Sequence, residues 1–448
     1  MLHDFQVANQ CCPKPFGKKE LAISATEAER QGPLSWQQEA RLRNEHKYGN
    51  YLPIENIFLI PDHVTDRDLH ARLRRVVDRE DSLHIVDATM RDGGWVTYRP
   101  DLPLPLRYET CESFADIRAA ASAATSGQFN RDGRPLWEVV VLKYADPAGR
   151  ITRHACCVFD HLVSDGRSMH LLQNELMGDV EANAASRGRY ADWVNWQSQE
   201  FPRSGGRRTT PTREFWLRHL DGTLADRPTP VPFAISSPVG GGGLLTTTTV
   251  DLPIQVTALR EAAQALRATP FLLVFANAVS WIARATSVSD VTTRIISNGR
   301  PLPYLCAQGW FADSLPVRMR DPKLADPARA LSMARQILSQ MLRFPYQAPW
   351  EYIRTACAPD NIQVSEETGR GQLVINVLPH ASEGVLAESE CERTVPGDID
   401  GLHMLVLGNA TGRCRLQAVF NPDDFSLAGV RMFLEDLAQQ LTEISAAH

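Results

Sequence analysis

The sequence predicts an α/β protein of two lobes, each a mixed sheet flanked by helices. Three observations carry this expectation. Some segments repeat apolar residues at helical spacing, while others are short apolar runs paired around turn residues. The second half of the chain repeats this mixture of helices and strands. Between the halves, "DRPTPVPFAISSPVGGGG" (226–243) has the composition of a linker. Hairpin-joined strands favour mixed over purely parallel sheets.

The elements follow in order. "TDRDLHARLRRVVDRE" (65–80) places Leu69, Leu73, Val76 and Val77 on one helical face, with Thr65 or Asp66 as its cap. "DSLHIVDATMRDGGWVTYRP" reads as two strands around Gly93-Gly94, and "PLWEVVVLKYADPAGRITRHACCVFDH" as a hairpin turning at 146–149. A helix is expected from about Gly166 to Met177, and two more at "YADWVNWQSQEF" and "REFWLRHLDG". The strand "LLTTTTVDL" follows Gly240–Gly243, which no Gly-Lys-Ser/Thr follows, so this glycine run is a flexible loop and not a phosphate cradle. Two helices ("PIQVTALREAAQALRA" and "PFLLVFANAVSWIARAT") come next. Strands are expected at "DVTTRIISN", "GQLVINVLP", "LHMLVLGN" and "CRLQAVFN". A closing helix over Ser426–Ile444 presents Val430, Phe433, Leu434, Leu437 and Leu441 on one face.

Composition bounds the function. The 448 residues suffice for a large core, and 43% hydrophobic with 22% charged residues is ordinary for a globular protein. A net charge of -6 gives no overall pull towards nucleic acid. No apolar run approaches the roughly 18 residues that span a bilayer, and the first residues lack a signal-peptide pattern, so no membrane is expected and the compartment is read as cytoplasmic. The nine Cys include no CxxC. Cys11-Cys12 and Cys156-Cys157 are adjacent pairs whose side chains diverge on a strand, and all are read as reduced thiols.

The segment "FDHLVSDGRSMH" (159–170) concentrates chemistry at a strand-to-helix corner. Taken alone, His161 reads as a structural histidine. The flanking segments change that. "DHLVSDG" resembles the HHxxxDG signature of the condensation-domain superfamily of nonribosomal peptide synthetases, which shares its fold with chloramphenicol acetyltransferase. "PLSWQQEARL" (33–42), "RLRRVVDREDSL", "FNRDGRPLWEVVVLKY", "YADWVNWQ" with "FWLRHLDG", "ATPFLLVFANAVSWIARATSVSDVTTRIISNGRP" and "GWFADSLPVRM" are similar to further family segments, in family order, over roughly residues 30–445. The "DFGWG" of plant-type acyltransferases is missing.

The resemblance implies two acetyltransferase-like lobes in a V, divided here as 1–180 and 181–448. It implies a central histidine on a tunnel, acyl donors presented on the phosphopantetheine of a carrier protein or on coenzyme A, and no tightly bound cofactor or metal. The partners implied are an acyl or peptidyl carrier protein and a small amine or alcohol acceptor. The chain ends soon after the closing helix, so a free-standing enzyme of natural-product biosynthesis acting in trans is expected.

Attack of an amine or hydroxyl on a thioester sheds a proton as the bond forms, and a near-neutral imidazole takes it or aligns the nucleophile. His161 is fitted to this. The resemblance makes Asp165 the structural partner of Arg300 in "SNGRP", an ion pair that fixes the loop. Gly166 is expected to allow a tight turn into the helix and to keep bulk from the tunnel. Ser168 caps that helix or donates to an oxyanion, capping being the plainer role. Asp160 stands where the family has its first His, and Asp313 where it usually has Asn. Asp313 is expected to pair with an acceptor or a tunnel Arg. Trp310, Asn376 and His380 are expected channel residues.

Asp160 to Ser168 also reads D-x-x-x-x-D-x-x-S, the pattern of heterocyclisation domains, but those lack the histidine kept here as His161. A lapsed module that recruits partner proteins is the third reading. Arg72, Arg74 and Arg75 and the loop Arg203, Arg207, Arg208 and Arg213 form basic runs whose plain meaning is a solvated face and whose functional meaning is a carrier-protein contact.

Overall fold

The computed structural model describes residues 29–48, 53–112, 129–145, 149–178, 188–202, 210–220, 229, 231–235, 244–343, 350–357, 372–377, 393–396, 401–408 and 412–448. The elements of the first half are β1 (Arg30–Pro33), α1 (Trp36–Tyr48), β2 (Ile54–Leu59), α2 (Asp66–Arg79), β3 (Ile85–Thr89), β4 (Trp95–Tyr98), β5 (Leu106–Thr110), β6 (Trp137–Ala145), β7 (Ile151–Phe159) and α3 (Gly166–Met177). Next come α4 (Tyr190–Glu200), α5 (Thr210–His219), β8 (Leu244–Gln255), α6 (Val256–Ala265), α7 (Pro270–Thr286), β9 (Asp290–Ser297) and β10 (Asp313–Arg320). The chain continues through α8 (Pro327–Arg343), α9 (Trp350–Cys357), β11 (Leu373–Val377), β12 (Arg393–Pro396), β13 (Leu402–Gly408), β14 (Arg413–Phe420) and α10 (Leu427–Ala447).

Local chemistry explains the best-placed elements. Thr65 caps α2 through a reciprocal capping box with Asp68, and its predicted apolar face (Leu69, Leu73, Val76, Val77) is buried. Thr269 caps α7 with Pro270 at the first turn, and Ser426 caps α10. The β6–β7 hairpin pairs in continuous antiparallel register from Trp137↔Phe159 to Ala145↔Ile151. Alternation sends Cys157 with Val139 and Val141 into one apolar cluster, and Cys156 with Val140 and Leu142 into the other. Burial pushes the Cys156 thiol up to about 12 and Cys157 well above the usual thiol range, so both are inert.

The described strands form three sheets. One has three strands in the order β1-β4-β3, one has four in the order β2-β7-β6-β5, and one has seven in the order β10-β9-β11-β13-β14-β8-β12. Parallel pairs (β5 with β6, β11 with β9 and β13) sit among antiparallel ones, giving the mixed sheets expected. Elements cross the 180/181 division in both directions. Tyr190, Trp193 and Val194 of α4, and Ala307 and Phe311 from the β9–β10 loop, join the core of the four-stranded sheet. Trp36 of α1 joins the core of the seven-stranded sheet.

Some sequence expectations need correction. The helix expected from Pro253 starts at Val256, because β8 runs on to Gln255, which pairs with Arg413. Strands β1, β2 and β5 and helix α1 lack a clear periodic signal in the sequence. Arg72 donates to the Leu176 carbonyl at the end of α3 at 2.8 Å, so it serves packing and not an open basic face. Most of the expected linker 226–243, the turn residues 146–148, the loop arginines 203–208 and His380 lie outside the described residues. No single described helix is long and apolar enough to cross a membrane, and the one bent pair that passes by length and composition, α6 with α7, is core-forming.

Candidate active site

β7 delivers the corner residues 160–165 to the start of α3. Asp165 is the cap of that helix, and its side chain accepts from the Ser168 amide at 2.8 Å. It is also the hub of the junction between the two halves. Arg300, in the β9–β10 loop, grips it with both guanidinium nitrogens, Nη1 to Oδ2 at 2.9 Å and Nη2 to Oδ1 at 2.8 Å. The amides of Phe311 and Ala312 donate to Oδ2 at 2.9 and 3.0 Å. Arg300 also lies 4.4 Å over the Phe311 ring. Burial alone would raise the Asp165 pKa, but the Arg300 charge and the converging donors hold it below the usual carboxylate range. A buried, bidentate pair of this kind is among the strong polar contacts of a protein interior. The ion pair implied by the resemblance is therefore present, and it leaves Asp165 no free edge for substrate.

Ser168 does not cap α3 with its side chain. Its Oγ donates to the Gly309 carbonyl at 2.8 Å and accepts from the Gly309 amide at 3.0 Å and from Arg300 at 2.6 Å. These bonds place the segment that ends in Trp310. Gly309 itself has φ 144, and a Cβ there would stand 2.2 Å from the Tyr190 ring. Only glycine fits. Tyr190 in turn donates to the Trp310 carbonyl at 3.2 Å.

His161 is the corner's half-buried residue, between buried Asp160 and buried Leu162. Its ring lies 4.3 Å from the Trp310 ring, tilted by 38°. Its Nδ1 is buried and bonds to no other residue among those described. Burial, then the nearby Arg41 charge, lowers the imidazole pKa, and Asp165 and Asp160 oppose this less strongly. At neutral pH the ring is uncharged and holds a lone pair for a proton. Trp310 is thus brought to His161.

Other expected residues take different roles. Gly166 is the exposed first residue of α3 and is not at positive φ, so the corner does not need glycine's backbone freedom there. Among the described residues, Asp313 forms no ion pair with an arginine. Its Oδ2 accepts from the Trp350 amide at the start of α9 at 2.7 Å, and its Oδ1 from the Ser314 amide at 2.8 Å. Burial pushes it up to about 6, against the Trp350 bond and the Arg294 charge. It lines a cavity of about 10 Å³, room for about one water, with Gln37, Gln197 and Phe311 among its walls. Asn376 lies half-buried in β11, and among the described residues it has no hydrogen bond or ring contact to the His161 loop.

Sequence reasoning missed α1's part in the corner. Asp160, taken from the sequence as an unexplained departure, forms a buried ion pair with Arg41, Nη2 to Oδ1 at 2.8 Å. The same Oδ1 accepts from the Leu162 amide at 2.9 Å, and Gln38 Nε2 donates to the Leu162 carbonyl at 2.8 Å. Gln37, Gln38 and Arg41 are all buried, so α1 buries polar side chains beside its apolar Trp36 and Leu42. The signal available lay in the polar residues of "PLSWQQEARL", which shows no apolar periodicity.

With this geometry in place, the chain can be compared with known proteins. Residues 54–376 match the family model "Condensation domain". The structure is similar to the condensation domain of the monacolin K polyketide synthase MokA, with a TM-score of 0.72 at 16% identity, covering 93% of this chain and 98% of that one. It is similar to the starter condensation domain of the rhizomide synthetase RzmA, solved as the R148A mutant with C8-CoA, with a TM-score of 0.71 at 17% identity, covering 93% and 95%. It is also similar to SgcC5 from Streptomyces globisporus, with a TM-score of 0.69 at 18% identity, covering 92% and 98%. A search of curated proteins gives no match. The fold is therefore the two-lobed, chloramphenicol-acetyltransferase-like architecture of these domains. The family model spans most of the chain and the fold agrees along nearly all of it, so this protein belongs to the condensation-domain family.

Proposed function

We propose that the protein is an acyltransferase that moves an acyl or aminoacyl group from a thioester to an amine or hydroxyl, forming an amide or ester. The donor is presented on the phosphopantetheine of a carrier protein, with a coenzyme A thioester as the other source of the same chemistry. The observation that carries this reading is His161: a half-buried, uncharged imidazole at the meeting of the two halves, in a loop whose Asp160 and Asp165 are both held by arginines. As the nucleophile's heteroatom bonds to the thioester carbonyl, its proton passes to the imidazole, and collapse of the tetrahedral oxyanion expels the thiolate, which takes up that proton. Asp165 and Arg300 form the scaffold of the reaction and not its acid or base.

The heterocyclisation reading has less support, because both carboxylates of D-x-x-x-x-D-x-x-S are committed to buried arginines. Intact-mass analysis tests the proposal. Carrier proteins loaded with candidate acyl groups, and the matching coenzyme A thioesters, are incubated with the protein and a panel of amines and alcohols. Loss of acyl mass from the donor with equal gain on the acceptor supports transfer. No transfer in any combination, alongside retained binding of a carrier, moves the assignment to a recruitment module, and loss of water from a Cys, Ser or Thr acceptor moves it to heterocyclisation.

A further inference from the structure

The backbone on both sides of His161 is held from one helix. Gln38 and Arg41 are three residues apart on α1 and so share a face. Gln38 bonds the carbonyl of Leu162, and Arg41 bonds the carboxylate of Asp160, whose same oxygen takes the Leu162 amide. α1 is itself fixed. Ser35 and Gln38 bond each other's amides at 3.1 and 2.9 Å, and the Tyr190 hydroxyl, which donates to the Trp310 carbonyl, lies within hydrogen-bond distance of Ser35 Oγ at 3.2 Å. On its far side Arg41 meets Glu45 at 2.9 Å, and Glu45 meets Arg131 at 2.5 Å. The chain is therefore built to keep one arginine, 3% exposed, beside the imidazole.

Resting on the reading that His161 takes the proton during transfer, we propose that Arg41 and Asp160 are positioning residues for His161. Together they fix the corner that carries the ring and set the charge that faces it. The charged groups around the ring are Arg41 and Asp160 from the α1 side, and Asp165 with its partner Arg300 from the other. Trp310 closes the remaining face without charge. Asp165 also favours the protonated ring, and Arg41 is the largest charge opposing it, so the Arg41–Asp160 pair sets the other side of the field. Arg41 favours the neutral ring and Asp160 the protonated one.

The test is the titration of the His161 imidazole by NMR in the full chain, with the resonance assigned by its loss in His161→Gln. Arg41→Gln leaves Asp160 uncompensated and is expected to raise the midpoint by about one unit, whereas Asp160→Asn leaves Arg41 uncompensated and is expected to lower it by a similar amount. The double variant returns it to between the two. A purely structural pair gives another signature: both single variants loosen the corner and move His161 the same way, towards a free imidazole. That result, or no shift in either, overturns the proposal.

If a neutral variant fails to fold, Arg41→Lys decides. It keeps the charge and loses the guanidinium fork. The His161 midpoint should hold while acyl transfer falls at least tenfold, and unchanged transfer overturns the proposal. The two layers separate cleanly. Opposite midpoint shifts without any transfer by the wild type sustain the positioning and refute the reaction, whereas transfer by the wild type with unmoved midpoints does the reverse.

Discussion

Asp160 and Asp165 stand five residues apart in one corner, both buried and both facing an arginine, yet they are built differently. Asp165 is tied across the molecule. It takes two bonds from Arg300, two from the amides of Phe311 and Ala312 and one from Ser168, so it joins the four-stranded sheet's corner to the β9–β10 loop. Asp160 is tied within its own half. It takes one oxygen's worth of contact from Arg41 and Leu162, and Arg41 shares its charge with Glu45. The first is an inter-half clamp with every lone pair used. The second is a looser, local support. The histidine between them gains a fixed position from both and a tunable environment chiefly from the second.

The largest effect should come from breaking the clamp. Asp165→Ala leaves Arg300 buried without its partner and removes the α3 cap, at a cost of about 3–5 kcal/mol. Thermal denaturation checks this, and a wild-type melting temperature in that variant would dissolve the distinction between the two carboxylates. Asp160→Ala should cost less, about 2–3 kcal/mol, because Arg41 keeps Glu45. Equal costs for the two variants would show that the local support is as tightly coupled as the clamp.

The contrast also shows what sequence can reveal. The β6–β7 hairpin, α2, α3 and α10 were legible because each buries an apolar face at its own period and carries an identifiable cap or turn. The partnership of Asp165 with Arg300 was legible through the family signature alone, since 135 residues separate them and no local pattern links them. Helix α1 was not legible as a helix. Its buried residues mix Trp36 and Leu42 with Gln37, Gln38 and Arg41, so no apolar period stands out, and the partner of Asp160 went unseen with it. The bond of Asp313 to the Trp350 amide was not legible for a related reason: backbone partners leave no trace in residue identity.

Asp313 supplies a smaller, pH-dependent test. Its folded carboxyl titrates at about 6, above the 3.8 of an unperturbed aspartate, so the folded state holds this proton more tightly. Its contribution to stability is full below pH 3.8 and is lost as pH rises through 6. Asp313→Asn removes that dependence. The variant should therefore gain on the wild type by about 1–2 kcal/mol between pH 4.5 and 7.5, measured by denaturant unfolding at each pH. A gap that stays constant with pH would place the carboxyl in an ordinary solvated environment, unlike the two corner carboxylates.

The smallest expected change in stability belongs to the residue with the largest expected change in rate. Among the described residues His161 Nδ1 has no hydrogen bond to another residue, and the side chain is half-buried, so its loss should leave the clamp and the support in place. The most direct measurement is single-turnover acyl transfer by His161→Ala beside its melting curve. The account predicts a melting temperature near that of the wild type and transfer slowed by about 10²–10⁴-fold. Transfer at the wild-type rate in a folded His161→Ala protein would contradict it.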